Sequence, residues 1–517
     1  LPVKSLFRFY REGKNRLEEM DGPFAGNEKI GENLTPNMRA LRLAMTASDL
    51  LLSMGIPASS VVTKALDITE TYCKRPVHID ISYNLIMLSQ IRGIENEPLT
   101  LIRPVAMRDT NYMTVNDVQH LIYEIRLGKH SLDEAEVLLD KILKKPVAYP
   151  TWLIPLANAA LAAGVDLMFT TNWRIILMTF VIVWLVDRMV FSLAKRAVPT
   201  FFRQAVAGAF VTLAAAIINL LALRGVDFFS GMNPTIIVVG GIIMLLAGLA
   251  IVGAIQDAIE EYYITANARI MRVALLTSGI VMGVLIGLYM ARKIGIGIAV
   301  NPNPLSLTGL HFQVIGGAIV AGMFAIATQT RLRAVFWAGI LGALALVVLY
   351  SARHLGISSV PASGVAALLV GLCARLFSRM WQTPTSGIIG CGIVPLVPGL
   401  SLYTALMQLV NYPPGDPLFY RGLGTLFTAV AIALSIAAGA SFGSLLGRPF
   451  DQRRSHLRNF VPFAEFMRRQ LRADGRHQLA GVAALQRVTE RFDLSRYDDE
   501  DDTTDDTESS DVLKPRM

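Results

Sequence analysis

The chain has 517 residues, of which 53% are hydrophobic and 17% charged, with a formal net charge of +8. Those averages conceal a split: residues 151–447 hold 16 Lys+Arg and 7 Asp+Glu, while the remainder holds 32 and 33. The whole positive excess therefore sits in the apolar block, as do all five Trp. This excludes a purely soluble enzyme, and also a nucleic-acid binder, whose basic residues gather on a water-facing patch. It indicates a polytopic membrane protein with soluble ends.

Residues 1–36 are expected to be a flexible segment. Residues 37–147 read as a small α+β domain. Met38–Leu52 and Ser59–Leu66 have helical periodicity, with Gly55-Ile56-Pro57 as the turn between them. Val77–Tyr83 alternates as a half-buried strand, and Leu85–Ile91 and Leu99–Val105 resemble it. Val115–Leu127 and Ser131–Leu143 read as helices, the second opened by a capping box, Ser131-Leu-Asp-Glu134. His78, His120 and His130 have no companion ligands at metal spacing, and neither a Gly-x-Ser-x-Gly elbow nor a phosphate loop occurs. Cys73, Cys373 and Cys391 suit neither a metal site nor a disulfide framework. No metal or cofactor is expected.

The apolar block divides into ten segments: 152–169, 174–193, 202–223, 233–256, 270–291, 312–329, 334–351, 358–379, 385–410 and 422–446. A bilayer core about 30 Å thick takes about 20 residues of helix, so ten transmembrane helices are expected. With the amino terminus inside, the inner flanks carry seventeen Lys/Arg and the outer loops six. That bias places both termini in the cytoplasm. Residues 448–517 form a cytoplasmic tail whose acidic stretch, 498–511, is expected to be disordered.

Segments four and nine share a pattern. Pro234-Thr235 matches Pro384-Thr385, Gly241 matches Gly392, Leu245 matches Leu396, and Gly248-Leu249 matches Gly399-Leu400. As fourth and ninth of ten, they define a repeat of five helices, 148–292 and 308–447. An odd number of crossings inverts the second copy. Inverted repeats with interrupted helices at matching places mark secondary transporters. Pro395 and Pro398, three residues apart, cannot both sit in an unbroken helix. The expected substrate-binding residues are therefore Pro234, Gly241, Gly248, Pro395, Pro398, Gly399 and Tyr403.

Ionisable groups inside a membrane default to functional roles. Between Glu261 and Asp416 there is no acidic residue, so the candidates are Asp166, Asp187, Asp257, Glu260 and Glu261. Asp166 lies near the outer end of the first segment and Asp187 beside Arg188. Asp257 closes the interrupted fourth segment and is expected to serve proton coupling, supported by Thr265, Asn267 and Arg269. Helix-end pairing with Arg269 is the alternative role.

Several stretches are similar to the threonine/serine exporter family of bacterial membrane proteins. They are Ser48-Asp-Leu-Leu-Leu-Ser-Met-Gly55, Val198-Pro-Thr-Phe-Phe-Arg203, Gln256-Asp257, Ile264-Thr-Ala-Asn-Ala-Arg269 and Ile393-Val-Pro-Leu-Val-Pro-Gly-Leu-Ser-Leu-Tyr403. The resemblance implies export of L-threonine and L-serine, driven by the proton motive force, across the inner membrane of a bacterium. It implies these amino acids, protons and membrane lipid as partners, with no nucleic acid; a homo-oligomer is compatible with it. It also likens the amino-terminal domain to a hydrolase. Two further readings stay open at this level: a membrane-anchored hydrolase acting through that domain, and a passive small-solute channel.

Overall fold

The computed structural model describes residues 35–91, 97–243, 245, 248–295, 307–381 and 385–447. The segment 1–34 and the tail 448–517, including its acidic stretch, lie outside the described residues.

The amino-terminal domain opens with α1 (Pro36–Ser53) and α2 (Ala58–Tyr72), joined where Gly55 takes a φ of 85°. Strands β1 (Val77–Ser82), β2 (Leu85–Gln90) and β3 (Leu99–Pro104) form an antiparallel meander, β1–β2–β3. Val77, Ile79 and Ile81 of β1, and Ile86 and Leu88 of β2, point to one face because side chains alternate along a strand. That face meets Leu41, Leu51 and Leu52 of α1 and Val61 and Ile68 of α2 in one core. Helices α3 (Tyr112–Arg126) and α4 (Leu132–Leu143) complete it. The expected capping box at Ser131 and Glu134 is formed.

The apolar block is helical: α5 (Leu153–Leu167), α6 (Trp173–Lys195), α7 (Thr200–Leu223), α8 (Pro234–Ile243), α9 (Gly248–Ile259), α10 (Tyr263–Lys293), α11 (Leu310–Ala327), α12 (Leu332–His354), α13 (Ser359–Trp381), α14 (Thr385–Ile393), a 3₁₀ turn at Val394–Leu396, α15 (Gly399–Asn411) and α16 (Pro417–Leu446). Among the described residues seven helices are long and apolar enough to cross a membrane, and the bent pair at segment nine makes an eighth. Segments one and four depart from the expected ten spans. Helix α5 has 15 residues, about 22 Å at 1.5 Å per residue, short of the hydrocarbon thickness. Segment four splits into helices of 10 and 12 residues.

The same neighbours recur along the block. Helix α7 packs on α10, and α13 on α16; α5 packs on α6, and α11 on α12; α9 packs on α10, and α15 on α16. The closest pairs approach through small residues. A Cβ on Gly283 of α10 would collide with Ala205 O of α7, and one on Gly287 would come within 2.9 Å of Ala209 O. On α16, Gly439 and Gly443 meet Gly364 O and Leu368 O of α13 with the same four-residue step. Without water to drive association, such backbone proximity is what holds helices together in lipid.

A valine at Gly283 or Gly443 is therefore expected to lower stability by about 1–3 kcal/mol or more through overpacking. Thermal unfolding of the purified protein in detergent checks this. The control is Gly424→Ala, whose added Cβ meets nothing within 4 Å, and its midpoint should match the unmutated chain.

Candidate functional site

Two interrupted helices define the region of interest. At segment nine, α14 tightens into the 3₁₀ turn at Val394–Leu396, and the chain then turns by 49° into α15. Pro395 and Pro398 supply no amide hydrogen, so the helical ladder stops there. Helix α15 begins at Gly399 with no side chain capping it. Its first amides are the positive end of a 13-residue helix. At segment four, α8 ends at Ile243 and α9 starts at Gly248.

Each broken helix carries its second half into the other group of helices. Val252 and Ile255 of α9 lie in a core with Leu341, Val370 and Ile393. Tyr403 and Met407 of α15 lie in a core with Val211, Ile237 and Ile242. Of the expected substrate residues, Pro395, Pro398 and Gly399 line the bend, and Tyr403 stands one turn into α15, buried, with no hydrogen-bond partner for its hydroxyl among the described residues. Pro234 opens α8. Gly241 serves packing, since an added Cβ would stand 2.5 Å from Val211 Cγ1; its counterpart Gly392 meets Val370 and Leu341 in the same way. Gly248 is the first residue of α9.

Asp257 and its companions are placed at a different location. The carboxylate is wholly buried and pairs with Arg269 at 2.8 Å. Its other oxygen accepts from the Ala58 amide at 2.9 Å, at the first turn of α2. Arg269 donates onward to Ile56 O at 3.1 Å. Thr265 accepts from the Tyr83 amide at 3.0 Å and donates to Ile81 O, at the β1–β2 turn where Tyr83 is left-handed (φ 55°). Ser59 bonds Glu260. Burial pushes the neighbouring Tyr262 phenol up to about 12. Asn267 is not part of this group and faces outward.

The amino-terminal domain is thus tied to the α9–α10 loop. It also holds the α11–α12 loop. Tyr112 and Met113 amides, at the start of α3, donate to Thr328 O and Gln329 O at 2.9 and 3.2 Å. Tyr149 reaches the Thr330 carbonyl, and Asp117 pairs with Arg331. The Tyr112 ring lies against Gly387 and Gly390 of α14, and its burial raises the phenol pKa. Nothing in the sequence pattern signals these contacts, because their partners lie some 200 residues away along the chain.

The geometry defines a class: a polytopic membrane protein with interrupted helices whose second halves pack among other helices, and with an amino-terminal α+β domain fastened to both helix groups. The comparisons specify the family. A threonine/serine exporter family model matches residues 42–291, and a second, described as "Threonine/Serine exporter, ThrE", matches residues 313–445. The chain is 31% identical over 419 residues to the "Probable threonine/serine exporter" of Mycobacterium tuberculosis, covering 80% of this chain and 77% of that one. It is 30% identical over 432 residues to the "Threonine/serine exporter" of Corynebacterium glutamicum, covering 82% and 85%. No solved structure matches it significantly. The chain belongs to the threonine/serine exporter family, and it is a transporter.

Removing Arg269 leaves Asp257 buried without its counter-charge, which typically costs about 3–5 kcal/mol. Arg269→Ala is expected to loosen the amino-terminal domain. Limited proteolysis of the membrane-embedded protein should then cut near residues 54–58 far faster than in the unmutated chain. Unchanged cutting would mean that the pair does not fasten the domain.

Proposed function

We propose that the protein exports L-threonine and L-serine from the cytoplasm of a bacterium across the inner membrane, drawing on the proton motive force. The names of its relatives support the substrates. In this reading the apolar block is two inverted five-helix units, with ten crossings and both termini cytoplasmic. The recurring helix pairs, the matched glycines and the bias of Lys/Arg toward one side support that arrangement.

The observation that carries the reading is the bend at Pro395 and Pro398, enclosed by protein. A zwitterionic amino acid needs donors for its carboxylate, acceptors for its ammonium and one polar partner for its hydroxyl. The uncapped amino end of α15 offers donors. The chain around the two prolines offers carbonyls that a regular helix would have consumed. The buried Tyr403 hydroxyl, one turn further on, is a suitable partner for the substrate hydroxyl. Unwound backbone at matching places in two helices is the usual transporter solution to binding a small polar solute between the two faces of the membrane.

The test is counterflow in proteoliposomes with labelled amino acids. Threonine and serine are expected to exchange, while leucine and lysine are not. Pro395→Ala with Pro398→Ala, which lets the helix straighten, should slow threonine exchange by about tenfold or more. That expectation follows from losing about 1.4 kcal/mol or more of site geometry. Exchange of threonine at full rate by the double variant would remove the bend from the site.

A further inference from the structure

Helix α5 carries a carboxylate that the binding site just described does not use. Asp166 is wholly buried, and neither of its oxygens has a hydrogen bond of acceptable geometry among the described residues. It lies where α5, α6 and α8 meet. Thr179 of α6 faces it, and its Oδ1 occupies the place a Cβ on Gly240 of α8 would take. Gly240 is six residues into α8, about 9 Å along its axis, and three residues before that half-helix ends.

The second helix group contains the equivalent junction, where α11, α12 and α14 meet. There Ala325, Ala338 and Cys391 form a small buried cluster. Asp166 stands to Ala325 as Thr179 stands to Ala338, at one common separation along the chain. Gly240 stands to Cys391 as its neighbour Gly241 stands to Gly392. Two alanines and a thiol fill this corner without difficulty, so the architecture does not call for an acid there. A lone buried carboxylate is among the most unfavourable groups a membrane protein can hold. Its presence in one copy of the junction alone points to a task rather than to packing.

The surroundings limit that task. No charged side chain acts on Asp166 from α6, α8 or α11, the helices packed against α5, among the described residues. The nearest acid on the same seam is Asp187 of α6, about two turns away and held by Asn158 at 2.8 Å. Asp257, by contrast, is fixed by Arg269 and by the Ala58 amide. A carboxylate with no fixed partner is free to change its protonation. One carboxylate with one hydroxyl is too small a donor set for a metal cation, and in the reading above the substrate's ammonium takes its acceptors at the Pro395–Pro398 bend, which leaves the proton.

We propose that Asp166, at the junction of α5, α6 and α8, binds the proton that drives export, and that Asp257 fastens the soluble domain instead. The inference rests on the exporter reading above. A proton taken from the outer side neutralises the carboxylate in the conformation that favours burial against Gly240. Its release to the inner side restores the charge and disfavours that packing, so that protonation biases the position of the α8 half-helix. The step is proton binding and release alone, with no other bond made or broken.

The test uses the full chain in proteoliposomes with labelled threonine, with and without an imposed pH gradient. Asp166→Asn keeps the size and polarity of the side chain but cannot carry the proton. It is expected to reduce gradient-driven accumulation about tenfold or more and to flatten its pH profile, while threonine exchange at equal concentrations continues. Asp166→Glu should keep accumulation and displace its pH profile. The proposal is overturned if Asp166→Asn accumulates threonine with the unmutated pH profile, or if both substitutions alike abolish exchange, which would indicate packing. If the unmutated chain exchanges threonine but ignores the pH gradient, the proton site and the proton drive are both overturned, and only the threonine-transport part of the reading survives. Failure of the unmutated chain to exchange threonine overturns both.

Discussion

A peptide group in hydrocarbon has no water to bond, so a helix that breaks inside a membrane must be covered by protein on every side. That constraint organises the apolar block. The bend between α14 and α15 and the division between α8 and α9 would be prohibitively costly against lipid. The second halves exchange groups: α9 packs among residues of α12, α13 and α14, and α15 packs among residues of α7 and α8. The two groups of helices are held to each other through the broken helices and through α5 on α11, where Gly164 meets Gly316. The tight glycine pairings of α7 with α10 and α13 with α16 leave slender, closely joined supports on either side. Packing by small residues and breakage by proline are two parts of one arrangement, because the first supplies the cover that the second requires.

The acids of the block occupy two environments, and their partners separate them. Asp257 has the guanidinium of Arg269, from α10, and the backbone amide of Ala58, from the amino-terminal domain. A buried pair of that kind is costly to break. Asp166 has one hydroxyl facing it and a glycine where a side chain would otherwise press on it. The first arrangement suits fastening, the second a change of charge. The amino-terminal domain holds both the α9–α10 and the α11–α12 loops, so it bridges the two helix groups.

Much of this was legible in the sequence, and the reasons differ from place to place. The soluble domain follows from local signals: alternation in Val77–Tyr83 sets β1, and Ser131 with Glu134 caps α4. Pro395 and Pro398 announce the bend at segment nine, since proline's missing amide is a property of the residue itself. Of the ten apolar segments that hydropathy marks, seven are long apolar helices among the described residues and segment nine is an eighth as a bent pair; segment one holds a helix shorter than its apolar stretch, and segment four is divided, which hydropathy does not register. What the sequence could not supply is the set of partners that folding brings from afar. Asp257 reads as the terminus of a broken helix. Its meeting with Ala58 depends on how two domains dock. Asp166 reads as a residue near a helix end, and its significance emerges only when the junction around it is set beside Ala325, Ala338 and Cys391. Gly241, expected from the sequence to bind substrate, packs closely against Val211.

The most direct measurement of the central claim is thiol labelling at the two breaks. Single cysteines placed at Leu245 and at Leu396, the matched positions beside the interruptions, would be reacted with a small maleimide in membrane vesicles with and without L-threonine. The account predicts that threonine slows labelling at both positions and that leucine slows it at neither. Labelling that threonine leaves unchanged at both positions would contradict it, since the breaks would then not face the transported solute.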